Sequence, residues 1–179
     1  GDLDRVALRA ALRDVVVRHE SLRTVFPDVD GVPRQEVLRP DRVEVFVDEL
    51  VVSSSGVAGV VEESVRRPFD LAVELPVRAR LLVVGSAEFV LVLVVHHIAG
   101  DGWSLGPLGR DLAVAYRARC GGEVPGWSPL PVQYADYSLW QRELLGDDAD
   151  PESVGGRQLA FWRETLAGLP EELNLPTDR

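Results

Sequence analysis

The chain has no lysine and no methionine, and only one isoleucine (Ile98), one asparagine (Asn174) and one cysteine (Cys120). The missing residue types are largely those with AT-rich codons, which points to a GC-rich bacterial source. A single cysteine excludes an intrachain disulfide and any CxxC metal site, and suits a reducing cytoplasm. Positive charge is scarce: 19 basic residues, all of them Arg, stand against 29 acidic ones, a net charge of −10. A chain this acidic has no general attraction to nucleic acid or to anionic membranes. Long apolar runs are missing too. The longest, Phe89–Val95, is far short of the roughly 20 residues that a membrane helix needs. Gly1-Asp2-Leu3-Asp4-Arg5 carries no signal-peptide pattern and opens almost directly into a helix, so the chain reads as a piece of something longer. What is present is ordinary globular usage, 46% hydrophobic and 27% charged over 179 residues. That is the length of one domain or one lobe.

Periodicity orders the elements. Leu8, Leu12 and Val15 recur at helical spacing and predict a helix over 3–18. Pro27 to Gly31 is a turn signal. Residues 35–38 and 43–47 read as strands. Ser53-Ser54-Ser55 precedes a helix expected over 56–67 and stopped by Pro68. Residues 77–84 and 89–97 are the strongest strands, joined by a hairpin link over 85–88. Leu105, Leu108, Leu112 and Tyr116 predict a helix over 105–119, and Tyr137, Trp140 and Leu144 another over 132–145. Residues 120–131 read as a loop and 146–151 as an acidic linker. Leu159, Trp162 and Leu166 define a last helix, ended by Gly168 and Pro170. Interleaved helices and strands with a hairpin predict an α/β fold, a mixed sheet with helices packed on it.

One constellation stands out: His96-His97-Ile98-Ala99-Gly100-Asp101-Gly102-Trp103-Ser104. It holds two of the three histidines of the chain, at a strand end that leads into a loop. If the strand stays extended through His97, period 2 sends the two imidazoles to opposite faces. Only one can then serve a given pocket, which argues against both binding one metal. A neutral imidazole can accept a proton from a weakly acidic group or orient it. Gly102 lets a reacting carbonyl approach the backbone and offers an N–H to a developing oxyanion. Ser104 is placed to cap the following helix.

At these residues the sequence resembles the condensation domains of nonribosomal peptide synthetases, whose HHxxxDG motif is matched by His96 through Gly102. Arg18-His19-Glu20-Ser21-Leu22-Arg23-Thr24-Val25-Phe26 resembles the family's RHExLRTxF segment. Tyr134-Ala135-Asp136-Tyr137-Ser138-Leu139-Trp140 resembles its YxDYxxW segment. Softer matches are Pro68-Phe69-Asp70-Leu71, Pro76-Val77-Arg78-Ala79 and Leu175-Pro176-Thr177-Asp178-Arg179. The motif HHxxxDG alone is shared with related acyltransferases and epimerization domains; the three motifs in order belong to the superfamily.

The resemblance implies a chloramphenicol-acetyltransferase-like lobe, a two-layer α/β sandwich that faces a second lobe across a tunnel. Residues 1–170 are expected to be a partial N-terminal lobe, and 171–179 the start of a linker to a missing C-terminal lobe. The implied reaction is amide formation between an upstream acyl or peptidyl thioester and a downstream aminoacyl amine. Both substrates ride on the phosphopantetheine of peptidyl carrier domains, and no cofactor or metal is bound directly. An adjacent adenylation domain and a cytoplasmic location are implied as well. By the same resemblance His97 acts in the site, as general base or as orienting acceptor, and Gly102 assists through its backbone. His96 is structural and Asp101 forms an ion pair with Arg23, while Trp103 reads as a core anchor with a pocket wall as the alternative. His19 and Glu20 end a helix and hold the next strand, while Tyr134, Asp136 and Trp140 pack a helix. The competing readings are epimerization, an ester-forming acyl transfer, or a docking lobe without catalysis; the intact motif argues against the last.

Overall fold

The computed structural model describes residues 1–170. The tail and linker expected over 171–179 lie outside the described residues. The described chain forms two compact units, divided after Tyr134.

The first unit is built on a helix that packs over a sheet. Helix α1 (Arg5–Arg18) starts at Asp4, whose carboxylate accepts from the Ala7 N–H at 2.9 Å, the usual capping of an orphan donor. Its predicted stripe of Leu8, Leu12 and Val15 is buried, with Ala7, Ala11 and Val16 beside it. A 3₁₀ turn, Glu20–Arg23, leads into β1 (Thr24–Val25), which pairs with β4 (Glu36–Val37). Between them β2 (Asp28–Val29) and β3 (Val32–Pro33) form a small hairpin. Asp30 and Gly31 both have positive φ at its tip, as the twist of a two-residue hairpin loop demands.

The main sheet has the order β5-β6-β7. Strand β5 (Val47–Val51) runs parallel to β6 (Val77–Val83), which is antiparallel to β7 (Phe89–Val95). Ala79, Leu81, Leu91 and Leu93 share the face that meets Leu8 and Leu12 of α1. Each fully buried Leu contributes about 2–3 kcal/mol of transfer free energy. Helix α3 (Leu105–Cys120) lies beside α1, with Ala115 fully buried against Ala11 and Val15. Asp14 and Arg119 clamp the two helices through two hydrogen bonds of 2.6 Å. Helix α2 (Val57–Arg66) joins the other face of the sheet, where its Ser64 and Glu63 meet Arg80. This is the expected α/β lobe, a small mixed sheet with helices packed on it, here on both faces rather than in two layers.

Two strand expectations are corrected. The strand expected over 43–47 is observed as β5, Val47–Val51. Val43 and Val45 do pack on the core, but from an irregular segment. The strand itself carries Asp48 and Glu49, an unpromising pair that its neighbours compensate: Asp48 meets Arg80, and Glu49 meets Arg5 and Arg9 of α1. The strand expected to reach residue 97 ends at Val95, and residues 97–99 form a turn closed by the Ala99 N–H on the His96 carbonyl.

The second unit, from Ala135, contains most of α4 (Tyr134–Leu145) and α5 (Val154–Thr165). Helix α5 begins five residues before Leu159 because Ser153 caps it, accepting from the Gly156 N–H at 2.8 Å. A side chain at Gly156 would stand 2.0 Å from the Asp150 carbonyl, so only glycine fits there. Tyr137 and Trp140 lie against each other at 5.8 Å.

Candidate active site

The end of β7 turns the two adjacent histidines into different surroundings. The His96 backbone N–H donates to the Pro76 carbonyl at 2.8 Å, and its Nδ1 accepts from the Ile98 N–H at 3.1 Å. The ring meets Phe69 edge-on at 5.7 Å, and Phe69 in turn lies under the Arg78 guanidinium at 3.9 Å. Arg78 also bonds the carbonyls of Arg67 and Pro68 and the carboxylate of Glu74. Arg78 holds the Glu74 carboxyl below the usual carboxylate range.

His97 is exposed and lines a cavity of about 390 Å³. It makes no hydrogen bond or ion pair to another described residue. Leu22, Val95, Ala99, Leu105 and Leu108 give this cavity apolar walls, and Gly100, Asp101, Gly102 and Ser104 form its rim. The two imidazoles do meet different surroundings, but strand period is not the cause: the strand ends at Val95, and the turn over 97–99 sets them apart.

The rim is shaped by a reciprocal pair of bonds. Asp101 Oδ1 accepts from the Ser104 N–H at 3.0 Å and from its hydroxyl at 2.8 Å, while Ser104 Oγ accepts from the Asp101 N–H. Ser104 stands at the N-cap position of α3, but the expectation that its side chain caps the helix is corrected: its hydroxyl turns back to Asp101 and makes no cap bond to the helix. Ser104 hydrogen bonds, side-chain first and then backbone, hold the Asp101 carboxyl below its ordinary value. A side chain at Gly100 would crowd Ser104 at 3.2 Å, so the turn favours glycine there. Gly102 differs: a Cβ would meet nothing within 4 Å. The fold itself therefore makes no demand for glycine at 102.

Two expectations are corrected here. Asp101 does not pair with Arg23. The Arg23 guanidinium is buried elsewhere, donating to the Val17 carbonyl at 3.1 Å, to the Leu38 carbonyl and to Glu20 at 3.1 Å. The reason is local: Asp101 is satisfied three residues on, and Arg23 is satisfied by the carbonyls where α1 and β4 meet. Trp103 is neither a core anchor nor a pocket wall, being 91% exposed. The turn that bonds Ser104 to Asp101 directs its neighbour outward.

Sequence reasoning placed His19 at a helix end, where it is indeed the C-cap of α1. It did not foresee that His19 also lines the His97 cavity. The available signal was that all three histidines of the chain fall in the two motif segments. His19 Nε2 lies 2.8 Å from Asp111 Oδ2 of α3, which Arg18 Nε also meets at 2.9 Å. Arg18 is steadied by the Trp127 ring at 4.8 Å and the Ser128 carbonyl. Among the described residues no group of three or more His, Cys, Asp or Glu is gathered as a metal site would require, and no helix is long and apolar enough to cross a membrane.

Comparison with known proteins matches residues 1–179 to the family model described as "Condensation domain". The chain is 62% identical over 179 residues to a "Probable non-canonical nonribosomal peptide synthetase (NRPS) CymA" of Salinispora arenicola, covering 100% of this chain and 2% of that protein. It is 55% identical over 180 residues to a "Dimodular nonribosomal peptide synthase" of Bacillus subtilis, covering 99% of this chain and 8% of the relative. Among solved structures, the X-domain from teicoplanin biosynthesis in complex with OxyB is similar with a TM-score of 0.92 and 39% identity. That match covers 100% of this chain and 39% of the X-domain chain.

Proposed function

The chain belongs to the condensation-domain family of nonribosomal peptide synthetases, and from that premise we propose that it supplies one wall of an amide-forming site with His97 as its acting imidazole. The family is an acyltransferase-type one, and the chain is part of such a domain. The observation that carries the reading is the contrast at the end of β7. His96 is engaged with Phe69 and Ile98, while His97 stands unengaged in an open cavity.

In the proposed reaction the downstream amine nitrogen attacks the thioester carbonyl carbon of the upstream acyl group. His97 accepts a hydrogen bond or a proton from that nitrogen, the C–S bond breaks, and the leaving sulfur takes up a proton. Gly102 leaves the rim low enough for the thioester to approach, and its backbone N–H has no acceptor among the described residues. Asp101 acts on the rim only through Ser104, and Arg23 acts on the junction of α1 and β4; neither touches the reacting atoms. Both substrates arrive on phosphopantetheine arms of upstream and downstream peptidyl carrier domains, and the thioester supplies the driving force. A second lobe forms the opposite wall of the tunnel, with 1–170 belonging to the N-terminal lobe. An adenylation domain alongside loads the carrier in the cytoplasm.

The test loads both carriers of a synthetase module containing this chain and follows transfer by intact-protein mass spectrometry. The expected result is a mass gain on the downstream carrier that disappears in a folded His97→Ala variant. Unchanged transfer in that variant removes His97 from the chemistry. No transfer in the unaltered module turns the reading toward epimerization, an ester-forming acceptor or a docking lobe.

A further inference from the structure

We propose that His19 is a second imidazole of the reaction cavity, accepting a proton from the ammonium of the incoming aminoacyl group beside His97. The proposal rests on the reading of the cavity given above and deepens it. Three observations carry it. His19 lines the same cavity as His97 although it comes from the far end of α1. Its Nε2 is committed to Asp111 at 2.8 Å, which sets the tautomer of the neutral ring and leaves Nδ1 as the acceptor. Its backbone is gripped on both sides by one side chain: Gln133 Oε1 accepts from the Glu20 N–H at 3.1 Å, and Gln133 Nε2 donates to the Arg18 carbonyl at 3.0 Å.

The chemistry has a use for such a group. An α-ammonium that becomes an amide nitrogen sheds two protons. One ends on the leaving sulfur and the other leaves for solvent. A single imidazole holds one proton at a time. In the proposed sequence His19 takes the first proton and releases it to solvent, freeing the lone pair. The amine then attacks, His97 takes the second proton, and the C–S bond breaks as the sulfur is protonated. The charged and titratable groups around His19 are Asp111 of α3, Arg18 of α1, Glu20 of the 3₁₀ turn, and His97 and Asp101 of the rim. Glu20 is occupied with Arg23 and Asp101 with Ser104. Asp111 is thus the carboxylate in hydrogen-bond contact with this imidazole.

The test compares transfer in the synthetase module, unaltered and with His19→Gln or His97→Ala, across about pH 5.5 to 9. Glutamine can keep the donor to Asp111 but cannot titrate. The expected result is a His19→Gln deficit of roughly tenfold or more that peaks near neutral pH, between the ordinary imidazole and α-amino ranges, and shrinks towards about pH 5.5 where an imidazole is already protonated. That deficit closes above about pH 8, where an α-amino group arrives neutral. A folded His19→Gln module with no deficit, or one equal at every pH, overturns the proposal, since a merely structural role gives the latter.

A second measurement does not depend on turnover. The chain has three histidines, so its imidazole signals are resolvable by NMR. The amide-linked analogue of alanyl-pantetheine is expected to shift His19 and His97 but not His96, and its N-acetylated form to spare His19. A shift of His97 alone overturns the role of His19 while leaving the site reading intact. A spectrum in which neither moves overturns both. If the unaltered module transfers nothing, the amide-forming reading fails separately, and the NMR result decides the fate of His19.

Discussion

His96 and His97 are neighbours in the chain and opposites in the fold. On the Phe69 side, every group of the local network has a protein partner: His96 with Ile98 and Phe69, Phe69 with Arg78, Arg78 with Glu74 and two carbonyls. On the cavity side, His97 is left with apolar walls, and the polar groups there hold the rim rather than the imidazole. One imidazole is a fastener and the other is available to a ligand. A motif residue that is already satisfied by protein holds shape, and one left unsatisfied at a cavity can act on a substrate.

The largest expected effect tests this contrast directly. His97→Ala should lower transfer by about 10²–10⁴-fold with an unchanged melting curve. His96→Ala should instead lose roughly 1–2 kcal/mol of stability, from its ring contact and hydrogen bond, and retain measurable transfer. Denaturation and carrier-loading assays on both variants check this; a His96→Ala protein of full stability and no activity breaks the comparison.

Arg23→Met comes next, at about 2–4 kcal/mol of stability, because two carbonyls and a carboxylate lose their donor. A double-mutant cycle of Arg23→Met with Asp101→Asn is expected to show coupling near zero. A coupling above about 1 kcal/mol would restore the ion pair between them. Phe69→Leu should cost about 1 kcal/mol by urea unfolding, through loss of its contacts with Arg78 and His96, and should leave the His97 side undisturbed.

Acid should act on the rim. The Asp101 carboxyl sits below its ordinary value in the folded chain. The stabilisation it gives the 101–104 turn is therefore present above the unfolded value, near 3.8, and is lost as pH falls through the lower folded one. Protection of the Ser104 amide against exchange, relative to an unstructured amide at the same pH, should fall over that interval, and Asp101→Asn should remove that pH dependence. The smallest effect belongs to Trp103→Ala, which should leave the melting temperature of the chain unmoved, since the ring has almost no protein contact to lose.

Much of this was legible residue by residue. Leu8, Leu12 and Val15 announced the buried face of α1, whereas strand period could not separate the two histidines, because the strand ends at Val95. Glu49 in a strand was not legible, because its compensation comes from Arg5 and Arg9 on another element. The Arg23–Asp101 pair was expected from resemblance and is absent, because both groups find nearer partners. His19 read as a helix terminus because nothing in its local sequence reports a cavity wall formed by a turn almost eighty residues on.

The sequence by itself determined the family, the helices and hairpin, and the residue types at the end of β7, since these depend on local periodicity and short-range motifs. Tertiary structure alone decided where Arg23 and Asp101 find their partners, and that His19 joins His97. Those outcomes depend on distances between residues far apart in the chain, which are set only when α1 and α3 pack on one face of the sheet.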